Sequence, residues 1–390
     1  MISEKRHAMY ELICVNTQGF SHLQNDIPCE DHGMVRASGG CKVFAAADGH
    51  GDPNCPRSAY GSEKACEIAL DELEIFQKEI AENDMEESLL TSEREAGRIL
   101  RQLAARIISK WIQAVNDQLE AEPLTDEERD ACDVYRPLYD EGRYLEHIYG
   151  TTLAAGLQTE NYLLLVSQGD CRCAVFHEDG SVTEPVPWDD KCLANVTTSL
   201  CDEDAAERCR FSLIDLRNDP VIACIVSSDG VEDSFADLEL EHAYFRRLLI
   251  EAGEKGTEAM EEALQESLPE LSKSGSGDDI TICGIIDAEA CKKSSKRFLR
   301  DKAIIETESL VRDLESRLRS INGMGKVDAL RAKYEKAKTD EEAALEALDE
   351  IRRRIAPVVE EYQEIIERKE DLEKRLEAAK EQLSLLETEV

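Results

Sequence analysis

Between residues 10 and 290 the apolar positions come in short runs, the spacing of strands buried on one or both faces. The runs Tyr10–Val15, Val43–Ala47, Thr152–Gly156, Tyr162–Ser167, Ala174–Phe176, Val221–Ser227 and Ile280–Ile286 each predict a strand. Two helical patterns lie between the second and third runs. One covers about 62–80. The other covers about 86–119, where Leu100, Leu103, Ile107, Trp111, Val115 and Leu119 make one stripe. The stretch that follows, EAEPLTDEERDACDVYRP, is polar and turn-rich and reads as a surface excursion; a further helix is predicted within 237–271. Strands, then paired helices, then strands again predict a layered sheet-and-helix domain rather than strict βαβ alternation.

From about Lys292 the pattern changes. Glycine nearly vanishes, cysteine stops at Cys291, and Ala, Glu, Lys, Arg and Leu dominate. One helix is predicted over about 295–321, broken by Gly323 and Gly325, and a second starts near Val327. From Leu348 the seam positions step by three and four: Ile351, Ile355, Val358, Tyr362, Ile365, Lys369, Leu372, Leu376, Ala379, Leu383, Leu386. That is a heptad pattern over roughly five repeats. Pro357, off the seam, predicts a kink or a restart. The reading is an all-α coiled-coil or helical-hairpin region, in preference to a single solvated helix. The chain divides into 1–290 and 291–390.

Charge sharpens that division. The chain carries 84 Asp+Glu against 46 Lys+Arg, a net of −38. Residues 291–390 hold 22 Lys+Arg and 24 Asp+Glu, so by subtraction residues 1–290 hold 24 and 60, a net of −36. Most of that excess reads as solvating surface, and it makes nucleic acid a poor partner. No apolar run approaches twenty residues, which argues against a membrane span. The N-terminus, MISEKRHAMYELICV, lacks the apolar core of a signal peptide. Fourteen cysteines are scattered with no CxxC pair, and the closest two, Cys171 and Cys173, point to opposite faces of a strand. Reduced, mostly buried thiols in a cytoplasmic protein are expected. None has the His neighbour that would mark a nucleophile.

The candidate chemistry lies where strands end. Asp48 follows Val43–Ala47 and precedes Gly49-His50-Gly51. Asp170 follows the Tyr162–Ser167 run, Asp229 follows Val221–Ser228, and Asp278 with Asp279 stands before Ile280–Ile286. Each has a glycine at hand that lets the backbone turn or approach a ligand. Glu30-Asp31 adds an acidic pair after the first strand. Asp-Gly is also the commonest turn dipeptide, so one such acid means little. Several converging at one sheet edge would repel each other unless cations sat between them. Their oxygen donors suit Mg²⁺ or Mn²⁺.

The segments CEDHG (29–33), AAADGHGD (45–52), GTTLAAGL (150–157), GDCR (169–172), SSDGVEDSF (227–235) and GSGDDITICGII (275–286) occur in the order of one family. Through them the chain resembles the metal-dependent Ser/Thr protein phosphatases of type 2C, in the bacterial variety. The resemblance implies an α+β fold, a four-layer α/β/β/α sandwich of two antiparallel sheets flanked by helices. It implies two Mn²⁺ or Mg²⁺ ions, with Asp48 bridging them and the Gly49 carbonyl on one. Asp229 and Asp278 would complete the other site, Glu30 and Asp31 would stand near the second metal, and Asp170 and Asp233 match a third, weaker site. A hydroxide bridging the metals would attack phosphoserine or phosphothreonine in line, with His50 as general acid to the leaving alkoxide.

One departure stands out. Many family members carry an Arg shortly before the acidic pair that clamps the substrate phosphate. Here GFSHLQNDIPCED has none between Gly19 and Asp31, which leaves His22, Arg57 or the metals alone for that task. Asp279 stands where Asn is frequent. The leading expectation is therefore a protein-serine/threonine phosphatase acting on a phosphoprotein. The alternative is a slow or inactive phospho-binding module on a coiled-coil scaffold. Residues 327–390 are expected to mediate a homo-oligomer or hold a partner protein.

Overall fold

A computed structural model describes residues 9–132, 134–192, 196–323 and 327–388. Among the described residues, ten strands form two antiparallel sheets. In chain order they are β1 (Glu11–Thr17), β2 (His32–Ser38), β3 (Cys41–Ala47), β4 (Leu153–Gln158), β5 (Tyr162–Gln168), β6 (Arg172–His177), β7 (Val182–Thr183), β8 (Arg210–Asp215), β9 (Val221–Ser227) and β10 (Ile280–Ile286). The first sheet runs β1-β10-β9-β6-β7 and the second β2-β3-β4-β5-β8. The expected sandwich is present.

Strand periodicity builds the layers, because alternate side chains leave opposite faces. Along β3, Phe44 and Ala46 enter the layer between the sheets, while Val43, Ala45 and Ala47 face the helices Ser58–Glu82 and Glu93–Ala121. Along β10, Cys283 and Ile285 point into the inter-sheet layer. Ile280, Ile282 and Ile286 pack under the helices Leu238–Lys255 and Thr257–Ser274. Trp111 is wholly buried in the helical layer of the second sheet, and its indole N–H donates to the Gly61 carbonyl at 2.9 Å. Truncating such a residue to alanine costs about 3–5 kcal/mol.

Three helix boundaries differ from the sequence expectation. The pattern over 86–119 forms two helices, Glu86–Thr91 and Glu93–Ala121, because Ser92 adopts an extended conformation and caps the second through the Glu95 N–H. The helix expected within 237–271 is also two, Leu238–Lys255 and Thr257–Ser274, separated by Gly256 at φ 94°. In the tail, the first helix begins earlier, at Ala288, where the Asp287 carboxylate accepts the Ala290 N–H at 2.9 Å.

By contacts the chain forms two units, Met1–Thr307 and Glu308–Val390. The first extends past residue 290 because Ala290, Cys291 and Phe298 are buried in its core, with Phe298 edge-on to Phe176. In the second, the helix Val327–Thr388 continues through Pro357 without a restart. Its seam residues Ile351, Ile355, Val358, Tyr362, Ile365, Leu372 and Leu376 are all exposed. Gly325 and the side chains of Ala379, Leu383 and Leu386 lie outside the described residues. No helix among the described residues is long and apolar enough to cross a membrane. None of the fourteen cysteines is in a disulfide.

Candidate metal centre

Antiparallel register brings the strand ends to one edge of the sandwich. In the second sheet, the last residue of β3, Ala47, pairs with His32, next to Asp31, and the last of β5, Gln168, pairs with Leu153. In the first, Ser227 at the end of β9 pairs with both Ile282 and Arg172. The aspartates Asp48, Asp170, Asp229, Asp233, Asp278 and Asp279 therefore meet on the walls of one cleft of about 850 Å³, whereas Glu30 and Asp31 do not line it and Asp31 is buried.

Asp48 is held by its backbone. Its N–H donates to the Thr152 hydroxyl at 3.0 Å, and its carbonyl accepts the Thr152 N–H at 2.8 Å and the Thr151 hydroxyl at 2.9 Å. Next to it Gly49 donates to the Glu30 carbonyl at 3.2 Å, and a Cβ there would stand 2.6 Å from that same oxygen. Only glycine permits this approach. Glu30 is fixed in turn by Ser58, whose hydroxyl donates to its carboxylate, and by Ser62, which donates to its carbonyl.

Asp279, on the cleft wall, organises the acidic pair. It is buried, and its two oxygens accept the backbone N–H groups of Gly19 and Glu30, each at 2.6 Å. This anchoring role left no mark in the sequence, because the partners are backbone groups far away along the chain. His22 lies beside both, with Nδ1 3.0 Å from Asp279 and Nε2 3.6 Å from Asp278.

The carboxylates are crowded. One oxygen from each of Asp48, Asp170 and Asp229 lies within 4.8 Å of the other two. Burial, then the charge of Asp229, pushes Asp48 well above the usual carboxylate range, and burial lifts Asp229 to about 7 despite its hydrogen bond with Asp48. Asp31, Glu30, Asp170 and Asp233 are all raised, chiefly by burial. Buried oxygens on Asp31 and Asp170 have no hydrogen-bond partner. Buried, mutually repelling, oxygen-only donors with unfilled lone pairs fit a hard divalent cation.

The chain matches the sequence profile described as Protein phosphatase 2C over residues 18–269. The chain belongs to the protein phosphatase 2C family. That places it among the protein-serine/threonine phosphatases, whose chemistry depends on metal. The match stops short of Asp278 and Asp279, which the fold nonetheless brings to the cleft. No curated protein sequence matches the chain. Among solved structures, it is similar to the serine/threonine phosphatase Stp1 from Staphylococcus aureus (15% identity, 73% of this chain and 98% of that one, TM-score 0.44). It is also similar to the PstP catalytic domain in complex with 2 manganese ions (17%, 71% and 97%, 0.40) and to PppA of Pseudomonas aeruginosa (16%, 71% and 97%, 0.42).

The remaining candidates separate clearly. His50 lines the cleft, and burial, reinforced by the charge of His147, lowers its pKa to about 4. His22 lines the cleft too. Arg57 does not. Its guanidinium is taken up by both oxygens of Glu128 at 2.7 and 3.0 Å, by Gln118 at 2.8 Å, by the carbonyls of Glu122 and Pro123 and by the Tyr149 hydroxyl. It ties the start of the helix Ser58–Glu82 to the excursion after Ala121. Among the described residues, no Lys or Arg lines the cleft.

Proposed function

We propose that the chain hydrolyses phosphoserine and phosphothreonine in proteins at a two-ion centre. Asp48, the Gly49 carbonyl, Glu30, Asp31, Asp229 and Asp278 are the groups that would hold the two ions. Asp170 and Asp233 would hold a third, weaker ion. The observation that carries this reading is the convergence of Asp48, Asp170 and Asp229 within 4.8 Å, with unpartnered buried oxygens on Asp170 and Asp31. Mn²⁺ or Mg²⁺ ions, when bound, supply neutralisation of phosphoryl charge and activation of a water for in-line attack at phosphorus.

The protein's own residues do the rest. Asp279 and the Ser58–Ser62 pair hold the Glu30-Asp31 segment against Gly49, which fixes the carboxylates before substrate arrives. Among the described residues no arginine or lysine lines the cleft, and of the two side chains the sequence offered for the phosphate, only His22 reaches it, to donate through Nε2. His50 is neutral at pH 7 in the free chain. The charge of a bound phosphate raises its pKa and makes it the proton donor to the leaving alkoxide. The same lack of a guanidinium favours the second reading, a slow or purely phospho-binding module. The bare thiols fit a cytoplasmic setting, and the exposed heptad seam fits self-association of the tail.

The test is hydrolysis of p-nitrophenyl phosphate and a phosphothreonine peptide with Mn²⁺, with and without chelator. Turnover that needs the ion and disappears in Asp229→Asn supports the enzyme. Absent turnover in the unaltered chain, or equal turnover in the variant, leaves the binding module.

A further inference from the structure

A second group of ligand-type side chains stands on the wall of the cleft and shares no member with the Asp48, Asp170 and Asp229 cluster. His147, Cys201 and Asp202 each bring one donor atom within 4.8 Å of the other two, and all three line the cleft. The donor set is of another kind: an imidazole nitrogen, a thiol sulfur and a carboxylate oxygen. Sulfur and imidazole prefer borderline-soft transition ions, whereas Mg²⁺ takes oxygen. We propose that His147, Cys201 and Asp202 bind a divalent transition-metal ion of the Zn²⁺ class, at a site separate from the aspartate centre.

The distances allow it. Tetrahedral ligation at zinc bond lengths sets neighbouring donors roughly 3.4–3.8 Å apart. Closing from 4.8 Å needs about 1 Å of movement, within reach of a side-chain torsion. The two segments that carry the donors are pinned to each other. His147 sits in the 3₁₀ turn Leu145–Tyr149, its ring stacked on Tyr135 and edge-on to Tyr144, each with centroids 5.5 Å apart. Two residues past that turn, Thr151 accepts the Leu200 N–H at 3.0 Å and donates its own N–H to the Ser199 hydroxyl at 3.1 Å. Asp202 takes the Ser199 N–H on Oδ2 at 2.9 Å, which leaves Oδ1 for a cation.

The local field has the right sign. Asp202, Glu146 and Glu203 all act on His147 as negative charges. Three protein donors leave a fourth position open toward the cleft. An ion there would share the space that a substrate enters.

The test uses the full chain in excess Mg²⁺, which occupies hard oxygen sites and leaves a thiol-containing site free. Co²⁺ is titrated in and the near-ultraviolet thiolate-to-cobalt charge-transfer band is followed, with Zn²⁺ binding measured by calorimetry. One Co²⁺ per chain giving this band, displaced by Zn²⁺, is the expected result. Cys201→Ser removes the band, and His147→Ala weakens Zn²⁺ binding at least about 100-fold, beyond the usual effect of losing an outer-shell partner. Asp48→Asn leaves both intact. Asp202→Asn, which keeps an acceptor for Ser199, weakens binding without disturbing the loop, so the proposal stays testable if Cys201→Ser fails to fold. No band in the unaltered chain, a band of equal strength in Cys201→Ser, or its loss in Asp48→Asn overturns the proposal. These readouts do not depend on phosphatase activity.

Discussion

Replacing Arg57 separates a structural arginine from a substrate-binding one. In Arg57→Ala the chain loses a bidentate ion pair with Glu128 and bonds to Gln118 and two backbone carbonyls. The charge-assisted pair contributes about 2 kcal/mol, and the remaining partly solvated bonds together contribute about 2 more. Freeing the arginine side chain in the unfolded state returns ~1.5 kcal/mol. The net loss is about 2–3 kcal/mol. Unfolding entropy of about 2.1 cal/mol/K per residue, over the 307-residue first unit, gives roughly 0.6 kcal/mol/K. Tm should therefore fall by ~3–5 °C in a calorimetric or circular-dichroism melt. KM for a phosphothreonine peptide with Mn²⁺ should stay within about twofold, because the guanidinium does not reach the cleft. A Tm unchanged within error together with a tenfold higher KM would refute this reasoning and return Arg57 to the phosphate.

Four further outcomes follow. The Arg57 pair holds Glu128 down to about 2, below its unfolded value near 4.3. Its stabilisation is complete above that value and is lost as pH falls through 2, so the Tm gap between Arg57→Ala and the unaltered chain should narrow between about pH 4.5 and 2. Asp229→Asn relieves buried carboxylate repulsion, so in chelator it should melt a few degrees higher than the unaltered chain while losing the Tm rise that Mn²⁺ confers; equal Mn²⁺ stabilisation in both would count against Asp229 as a ligand. Gly49→Ala drives a Cβ against the Glu30 carbonyl, and should lower Mn²⁺-dependent turnover by about 100-fold with little change in circular dichroism. Ile355→Asp with Ile365→Asp places charge on the exposed seam; light scattering should show the full chain dropping to monomer mass, and an unchanged mass would remove the tail as an assembly surface.

Much of this architecture could be read in the chain because the central strands announce themselves. β3, β4, β5, β9 and β10 are covered on both faces, so their apolar runs are nearly continuous. β2, β7 and β8 escaped notice for the complementary reason. They are sheet edges, and residues such as Arg36, Ser212 and Asp215 keep them partly polar. The aspartates were legible through their place at strand ends next to glycine. What supports them was not. The bonds from Gly19 and Glu30 to Asp279 join residues some 250 positions apart, and they use backbone N–H groups that leave no mark in composition. His147 and Cys201 meet only through the folded path of Thr151 and Ser199, and no spacing rule connects them. Arg57 looked available because it follows the Asp48-Gly49-His50-Gly51 loop closely in sequence. Its ion-pair partner Glu128 and the carbonyls of Glu122 and Pro123 lie in the polar excursion, which read as surface-facing.

The two sheets contribute unequally to the acidic edge. Asp48 leaves the second sheet, Asp229 and Asp278 border the first, and Asp170 and Glu30-Asp31 lie on crossings between them. An ion held among these groups would act as a rivet through both leaves, and the layer between the leaves would be its washer. Among the fifteen buried residues of that layer, six are alanines or thiols (Ala46, Ala154, Cys171, Cys173, Cys224, Cys283). Enlarging one of these residues, or oxidising one, would pry the leaves apart at a distance from any ligand. The affinity for metal would then be tuned by shim thickness, with every carboxylate still in place.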